Sequence, residues 1–128
     1  MTPPVWVPLR AIIIIQDRQI SRHGGVPGLR DMALLEMGCA RPMNLADYTQ
    51  ADSASVAAAY ALDLSKTHAF VDGNKRTAFV IALTFLRLNG SGFRPMPAEG
   101  VRMMEDLASG AVDESRFADW LRAGMNPL

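Results

Sequence analysis

Ten consecutive residues, 68–77, bring together an imidazole, a carboxylate, a Gly-Asn pair, two cations and a hydroxyl. They run directly into an apolar segment that predicts a helix. A helix start presents unpaired backbone N–H groups and the positive end of the helix dipole, which together favour an anion. Lys75 and Arg76 make phosphate the expected anion, because arginine grips it bidentately and lysine supplies a point charge. With His68 as a hydrogen-bonding group and Asp72 as a ligand for Mg²⁺, this motif could carry out phosphoryl transfer.

Each residue of the motif (residues 68–77) also has an ordinary structural interpretation. A histidine can stabilise a helix C-terminus, and Asp-Gly is a common turn pair. Gly73 permits a positive φ or a close approach of the backbone, and the amide of Asn74 could cap the next helix, hold a phosphate oxygen, or do both. Lys75 and Arg76 argue for function, because cations at the positive end of a buried helix are unfavourable unless an anion binds. His68 is therefore predicted to be a general base, since an imidazole is partly neutral near pH 7.

Composition points to a soluble cytoplasmic protein with one domain, residues 1–128. Hydrophobic residues make up 49% of the chain, and 13 basic residues balance 13 acidic ones, so no net field favours nucleic acid or a membrane. The single cysteine, Cys39, lies in an apolar helical pattern and is expected to be a reduced core residue. No apolar stretch approaches the roughly 20 residues needed to cross a bilayer. With two histidines and no cysteine cluster, a zinc site is not expected.

Hydrophobic spacing predicts about five to seven helices and an all-α fold. The first helix carries Pro8 in its first turn and ends at Gly24-Gly25, and the second is capped by Asp31 and closed by Pro42. Residues 43–52 are predicted to form a loop. The glycine-rich stretch between the first two helices, residues 24–28, also predicts a loop (the glycine-rich loop). It matches neither a Walker nor a dinucleotide-binding fingerprint.

The third helix is alanine-rich, begins at a cap by Ser53 and places His68 at its C-terminal edge. The segment after the motif, residues 78–88, is apolar almost all round, which predicts a central, buried helix that stops at Asn89-Gly90. Two further helices are marked by the following boundary residues: Pro97, Gly110 and Asp113.

The order H-x-F-x-D-G-N-K-R in the motif resembles the signature of the Fic/Doc superfamily. Within it, the chain resembles the Doc branch, the death-on-curing toxins of bacterial toxin–antitoxin pairs. Residues 17–31, 40–42 and 85–90 look Doc-like as well, so the resemblance spans about residues 6 to 120. It implies the compact helical Fic/Doc fold, in which the motif bridges two central helices.

The Doc resemblance implies transfer of the terminal phosphoryl group of ATP, with Mg²⁺, to a threonine hydroxyl of elongation factor Tu, which would arrest translation. It implies that His68 is the base, that Asp72 is the magnesium ligand and that Lys75 is a further catalytic residue. The residues implied to cradle phosphates are Gly73, Asn74, Lys75 and Arg76. The resemblance also implies a cognate Phd-like antitoxin whose C-terminal segment folds on contact with this chain. DNA would be bound only indirectly, through that antitoxin.

Two alternatives remain open. Family members that transfer AMP carry a glycine and a second arginine where this chain has Lys75 and Phe79, and both changes disfavour AMP transfer. The other alternative is a catalytically idle protein that binds the antitoxin and tunes its binding to promoter DNA. Two further positions depart from related chains: Gln16 replaces a frequent histidine, and Gly73 replaces an alanine.

Overall fold

The computed structural model describes residues 3–128, apart from the side chain of Tyr48. The described residues form six α-helices: α1 (Leu9–His23), α2 (Met32–Thr49), α3 (Ser53–Thr67), α4 (Asn74–Leu88), α5 (Pro97–Ser109) and α6 (Glu114–Gly124). Two short strands, β1 (Ser91–Gly92) and β2 (Asn126–Pro127), pair antiparallel with Ser91 opposite Pro127. The all-α prediction is confirmed.

Helices α3 and α4 form the centre of the molecule, joined by the motif loop. Helix α3 contacts α2, α4, α5 and α6, and its alanines let these neighbours approach closely. Helix α4, the predicted central helix after the motif, packs against α1, α3 and α5. Its buried side carries Ile81 and Phe85, whereas Val80 and Leu83 are half-exposed, so α3 is the more completely buried of the two.

Most predicted helix boundaries are confirmed by capping contacts. The Asp31 carboxylate accepts a hydrogen bond from the backbone N–H of Ala33 at 2.8 Å, and Asp113 caps α6 in the same way. The predicted cap of α3 is wrong by one residue. Asp52, rather than Ser53, accepts from the N–H of Ser55 at 2.9 Å, because its side chain lies outside the first helical residue.

Pro42 does not close α2, and the prediction of a loop over residues 43–52 is wrong. The helix continues to Thr49, and Gln50 ends it with a left-handed backbone (φ 52°). A proline inside a helix costs about 3 kcal/mol, because it removes a hydrogen bond and crowds the preceding turn. Pro42 nevertheless continues the buried stripe of Leu35 and Cys39 against α3, and burial of that stripe outweighs the local cost.

One arginine links three of the helices around this core. Arg41 on α2 reaches Asp63 on α3 and Glu114 on α6 through its guanidinium group.

Cys39 is a core residue as predicted, and burial raises the pKa of its thiol to about 11. In the described part of the chain, no helix is both long and apolar enough to cross a membrane.

Candidate active site

His68 lies where α3 ends, at the edge predicted from the sequence. It is exposed and is the C-cap of the helix, with a left-handed backbone at φ 51° and ψ 45°. The Nε–H of Arg30 donates to the carbonyl oxygen of His68 at 2.8 Å. A side chain other than glycine adopts this backbone at an energetic cost, and such residues concentrate at functional sites.

The rest of the motif loop is fixed by a short antiparallel bridge between Leu29 and Phe70. Phe70 is buried and anchors the loop in the core, as predicted. The Asn74 amide closes the loop on the same residue: its Oδ1 accepts from the N–H of Phe70, and its Nδ2 donates to the Phe70 carbonyl, both at 3.0 Å. Asn74 therefore braces the loop, and one N–H of its amide is left for another acceptor.

The start of α4 has the geometry of an anion site. Gly73 is the N-cap, with φ 70°, and provides no side chain to satisfy the first turn. Within the described residues, the backbone N–H groups of Asn74, Lys75 and Arg76 donate to no acceptor, while that of Thr77 donates to the Gly73 carbonyl at 3.0 Å. Three unpaired donors at the positive end of a helix favour an oxyanion.

The Asp72 carboxylate is exposed and held in one orientation. Its Oδ1 accepts from the N–H of Gly73 at 2.8 Å, and its Oδ2 accepts from the N–H of Val26 at 3.1 Å. A Cβ atom on Gly25 would lie 2.7 Å from that Oδ2, so the close approach requires glycine. The glycine-rich loop, which resembles no phosphate-binding fingerprint, thus positions the acid of the motif.

Two further contacts tie the motif to α1 and to this loop. Gln16 is fully buried, and its Nε2 donates to the carbonyl oxygen of Asp72 at 3.3 Å. Nη2 of Arg76 donates to the carbonyl oxygen of Gly24 at 3.2 Å, so part of that guanidinium faces the loop. The sequence held a signal for Gln16, since it falls between Ile12 and Ile20 on one apolar face of α1.

A pocket of about 670 Å³ lies between the motif and α5, and it contains every predicted site residue. One side is polar and carries these residues: His68, Asp72, Gly73, Asn74, Lys75 and Arg76. A second wall, from α4 and α5, is mostly apolar and is formed by these residues: Phe79, Pro97, Gly100, Val101 and Met104, with Glu105 as its charged member. Val101 is 61% exposed although it is apolar, and this wall was not predicted from the sequence.

Phe79, in the apolar wall, packs against residues of α5 and α6. Its ring stacks on Trp120 with centroids 6.1 Å apart, and a Cβ atom on Gly100 would lie 3.0 Å from it. The pocket therefore combines hydrogen-bond donors and cations from the motif with an apolar surface from α4 and α5. Such a shape suits a ligand that is anionic at one end and flat and apolar at the other.

Comparison with known proteins gives the same family that the motif suggested. The model of the Fic/DOC family matches residues 6–86, which include the whole motif, α1 and the glycine-rich loop. The chain is similar to "Protein kinase doc" of Escherichia phage P1, with 37% identity over 112 residues, covering 87% of this chain and 88% of that protein. It is also similar to "Toxin Doc" of Mycolicibacterium smegmatis, with 44% identity over 69 residues, or 52% of this chain and 53% of that protein.

Proposed function

Because this chain belongs to the Fic/DOC family, we propose that it is a Doc-like toxin that phosphorylates a protein serine or threonine hydroxyl with Mg-ATP. The observation that carries the proposal is the convergence of His68, the Asp72 carboxylate and the unpaired N–H groups of α4 on one pocket. A base, an anion site and a carboxylate that can hold Mg²⁺ are the groups that phosphoryl transfer to a hydroxyl uses.

The two ends of the pocket support a purine nucleotide as the donor. Phosphate oxygens would accept hydrogen bonds from the α4 N–H groups and pair with Lys75 and Arg76. The base would lie against the apolar wall that includes Val101 and Met104. A volume of about 670 Å³ suits a ligand of this size.

Asp72 fits the role of a magnesium ligand. Each of its carboxylate oxygens accepts one N–H, which leaves a lone pair on each, and the side chain is exposed at the pocket. Mg²⁺ commonly binds one or two carboxylates and completes its coordination with substrate phosphates and water. When bound, it would neutralise charge on the phosphates and so make phosphoryl transfer easier.

The transfer itself would use the motif as follows. The imidazole of His68 takes the proton of the acceptor hydroxyl as that oxygen attacks the γ-phosphorus of ATP. The bond from the γ-phosphorus to the bridging oxygen breaks, and ADP leaves with the electron pair. Lys75, Arg76 and the N–H groups of the first turn of α4 stabilise the charge spread over the transferred group.

Two residues favour phosphoryl transfer over nucleotidyl transfer. Lys75 is exposed at the start of α4, where AMP-transferring relatives are expected to carry glycine. Phe79, stacked on Trp120, occupies the position of their second arginine and offers no grip on a further phosphate. Nucleotidyl transfer is the second candidate function, because the same base and anion site could direct the attack to the α-phosphorus.

Elongation factor Tu is the proposed acceptor, on one of its threonines, with arrest of translation in the cytoplasm as the outcome. A cognate Phd-like antitoxin is the proposed partner, and DNA would be reached only through it. The alternative of a binding-only co-regulator is disfavoured by the pocket, since His68, Asp72 and Lys75 all lie on it.

Mass spectrometry of elongation factor Tu incubated with the protein and Mg-ATP tests the proposal. His68→Ala is the variant, and His23→Ala is the matched control, because His23 is the chain's other histidine and lies outside the pocket lining. One added phosphate on a threonine with the wild type and with His23→Ala, absent with His68→Ala, is expected. An added AMP would instead establish nucleotidyl transfer. ATP binding without modification of any protein would favour the binding-only alternative.

A further inference from the structure

We propose that Gln16 is a positioning residue for the motif, acting through the peptide group that joins Asp72 to Gly73. This inference rests on the proposed function, because it concerns the placement of the acid that would hold Mg²⁺. Gln16 lies outside the motif and does not line the pocket. Among the described residues, one side-chain hydrogen bond joins it to the motif, across 56 residues of sequence.

The burial of Gln16 is unusual for its chemistry. It has no exposed surface and lies between Ile12 and Ile20 on the face of α1 that packs inward. An aliphatic side chain would fill this place without desolvating an amide. A polar side chain here therefore needs a reason beyond packing.

Among the described residues, the hydrogen bonds of the Gln16 amide do not offset the free-energy cost of removing it from water. The Nε2–H bond of Gln16 to the Asp72 carbonyl is long, at 3.3 Å, and Oε1 is buried without a donor from any described residue. An unpaired buried acceptor costs more free energy than one long hydrogen bond returns. Gln16 is thus expected to lower the stability of the fold or leave it unchanged.

The peptide group that Gln16 holds also controls the Asp72 side chain. The carbonyl of Asp72 and the N–H of Gly73 belong to one planar unit. Gln16 binds the oxygen end, and the N–H end donates to Oδ1 of Asp72 at 2.8 Å. Because Gly73 tolerates many backbone conformations, this unit could rotate if the oxygen end were released. Rotation would turn the N–H away from Oδ1 and leave the Asp72 carboxylate held only by the N–H of Val26 on Oδ2.

The test compares Gln16→Met with the matched control Gln19→Met on the same helix. Methionine has a similar length and lacks the donor, and Gln19 makes no hydrogen bond to the motif. The measurements are the melting temperature, kcat, the KM for ATP, the Mg²⁺ concentration for half-maximal activity, and amide hydrogen exchange at Gly73. Gln16→His, which restores an N–H donor of similar reach, is the rescue variant.

For Gln16→Met we expect an unchanged or higher melting temperature, faster exchange at Gly73, and a kcat/KM about tenfold lower, with a raised Mg²⁺ requirement. Gln16→His should recover part of the activity, and Gln19→Met should match the wild type. Full activity in Gln16→Met with unchanged exchange at Gly73 would overturn the inference, as would a loss of activity explained by a lower melting temperature. A wild type without transferase activity would overturn the proposed function instead, and exchange at Gly73 would still decide whether Gln16 holds this peptide.

Discussion

The backbone N–H of Val26 donates to Oδ2 of Asp72 at 3.1 Å, joining the loop after α1 to a residue 46 positions later. With the Gly73 N–H on Oδ1, this contact gives each carboxylate oxygen a backbone partner. The carboxylate of the motif is therefore preorganised by a segment outside the motif, which would reduce the reorganisation needed in the proposed phosphoryl transfer.

Gly25→Ala should disable this arrangement, and Gly24→Ala is its matched control. Both residues have a positive φ (120° and 85°), so either alanine strains the backbone by about 1–3 kcal/mol. Only at Gly25 would the new Cβ lie 2.7 Å from Oδ2 of Asp72; at Gly24 it meets nothing within 4 Å. We expect both variants to melt at a lower temperature and Gly25→Ala alone to lose transferase activity per folded molecule. Equal activity losses in the two variants would contradict a specific effect on Asp72.

Lys75→Met should stabilise the ligand-free protein and weaken ATP binding. Lys75 lies in the first turn of α4, where a cation opposes the helix dipole, and its removal should add about 0.3–1 kcal/mol to the free energy of unfolding. Loss of a charged phosphate contact should raise the Kd for ATP roughly tenfold.

Lys66→Met provides the opposite control for Lys75→Met, because Lys66 lies in the last turn of α3, where a cation is favourable. It should lose a few tenths of a kcal/mol of stability and bind ATP normally. Urea unfolding and calorimetric ATP titration measure both effects. Unchanged ATP affinity in Lys75→Met would count against the proposed phosphate contact.

Arg41→Met should destabilise the fold but leave the lining of the pocket unchanged, because Arg41 is not among the lining residues. The Arg41 guanidinium binds Asp63 at 2.8 and 2.9 Å and Glu114 at 3.0 Å, linking α2, α3 and α6. Because the Arg41 side chain is 42% exposed, solvent screens these bonds, and we expect a loss of about 1–2 kcal/mol. Arg102→Met is the control, since Arg102 is exposed and lines no part of the pocket. A loss in Arg102→Met as large as in Arg41→Met would show that the network adds nothing specific.

The Asp52–Arg122 pair should make stability depend on pH. Hydrogen bonds from Arg122 hold the pKa of the Asp52 carboxyl well below its usual range. A carboxyl whose pKa is depressed by folding adds stability above its ordinary pKa of about 4, and that stability is lost as the pH falls below this value. Asp52→Asn keeps an oxygen to cap α3 and removes the charge.

We therefore expect the wild type to exceed Asp52→Asn by up to about 1 kcal/mol at pH 7, since the pair is half-exposed, and by less at pH 3. Asp119→Asn is the comparison, because Asp119 also contacts Arg122 but its side chain is 71% exposed, and its effect should be smaller. Urea unfolding at both pH values measures the difference. A gap between wild type and Asp52→Asn that widens on acidification would have the wrong sign for this linkage.

Features that depend on neighbouring residues were predictable from the sequence. The caps by Asp31 and Asp113 bond to backbone groups two and three residues away, so their effect is local. The motif places its base, acid and cations within ten consecutive residues, and a helix start after Gly73 brings its donors with it. Two local predictions failed: Asp52 rather than Ser53 caps α3, and at Pro42 burial against α3 outweighed the helix-breaking tendency of proline.

Contacts between distant segments were decided only by the tertiary structure. The hydrogen bonds of Val26 and Gln16 to Asp72 span 46 and 56 residues, and the apolar wall of the pocket combines Phe79 of α4 with residues of α5. No residue pattern encodes these distances, because they depend on how α1, α4 and α5 pack around α3. The sequence by itself determined which groups are available for chemistry and which helix start presents them. Packing determined how the acid is oriented and what forms the opposite wall, because only a folded core brings those segments together.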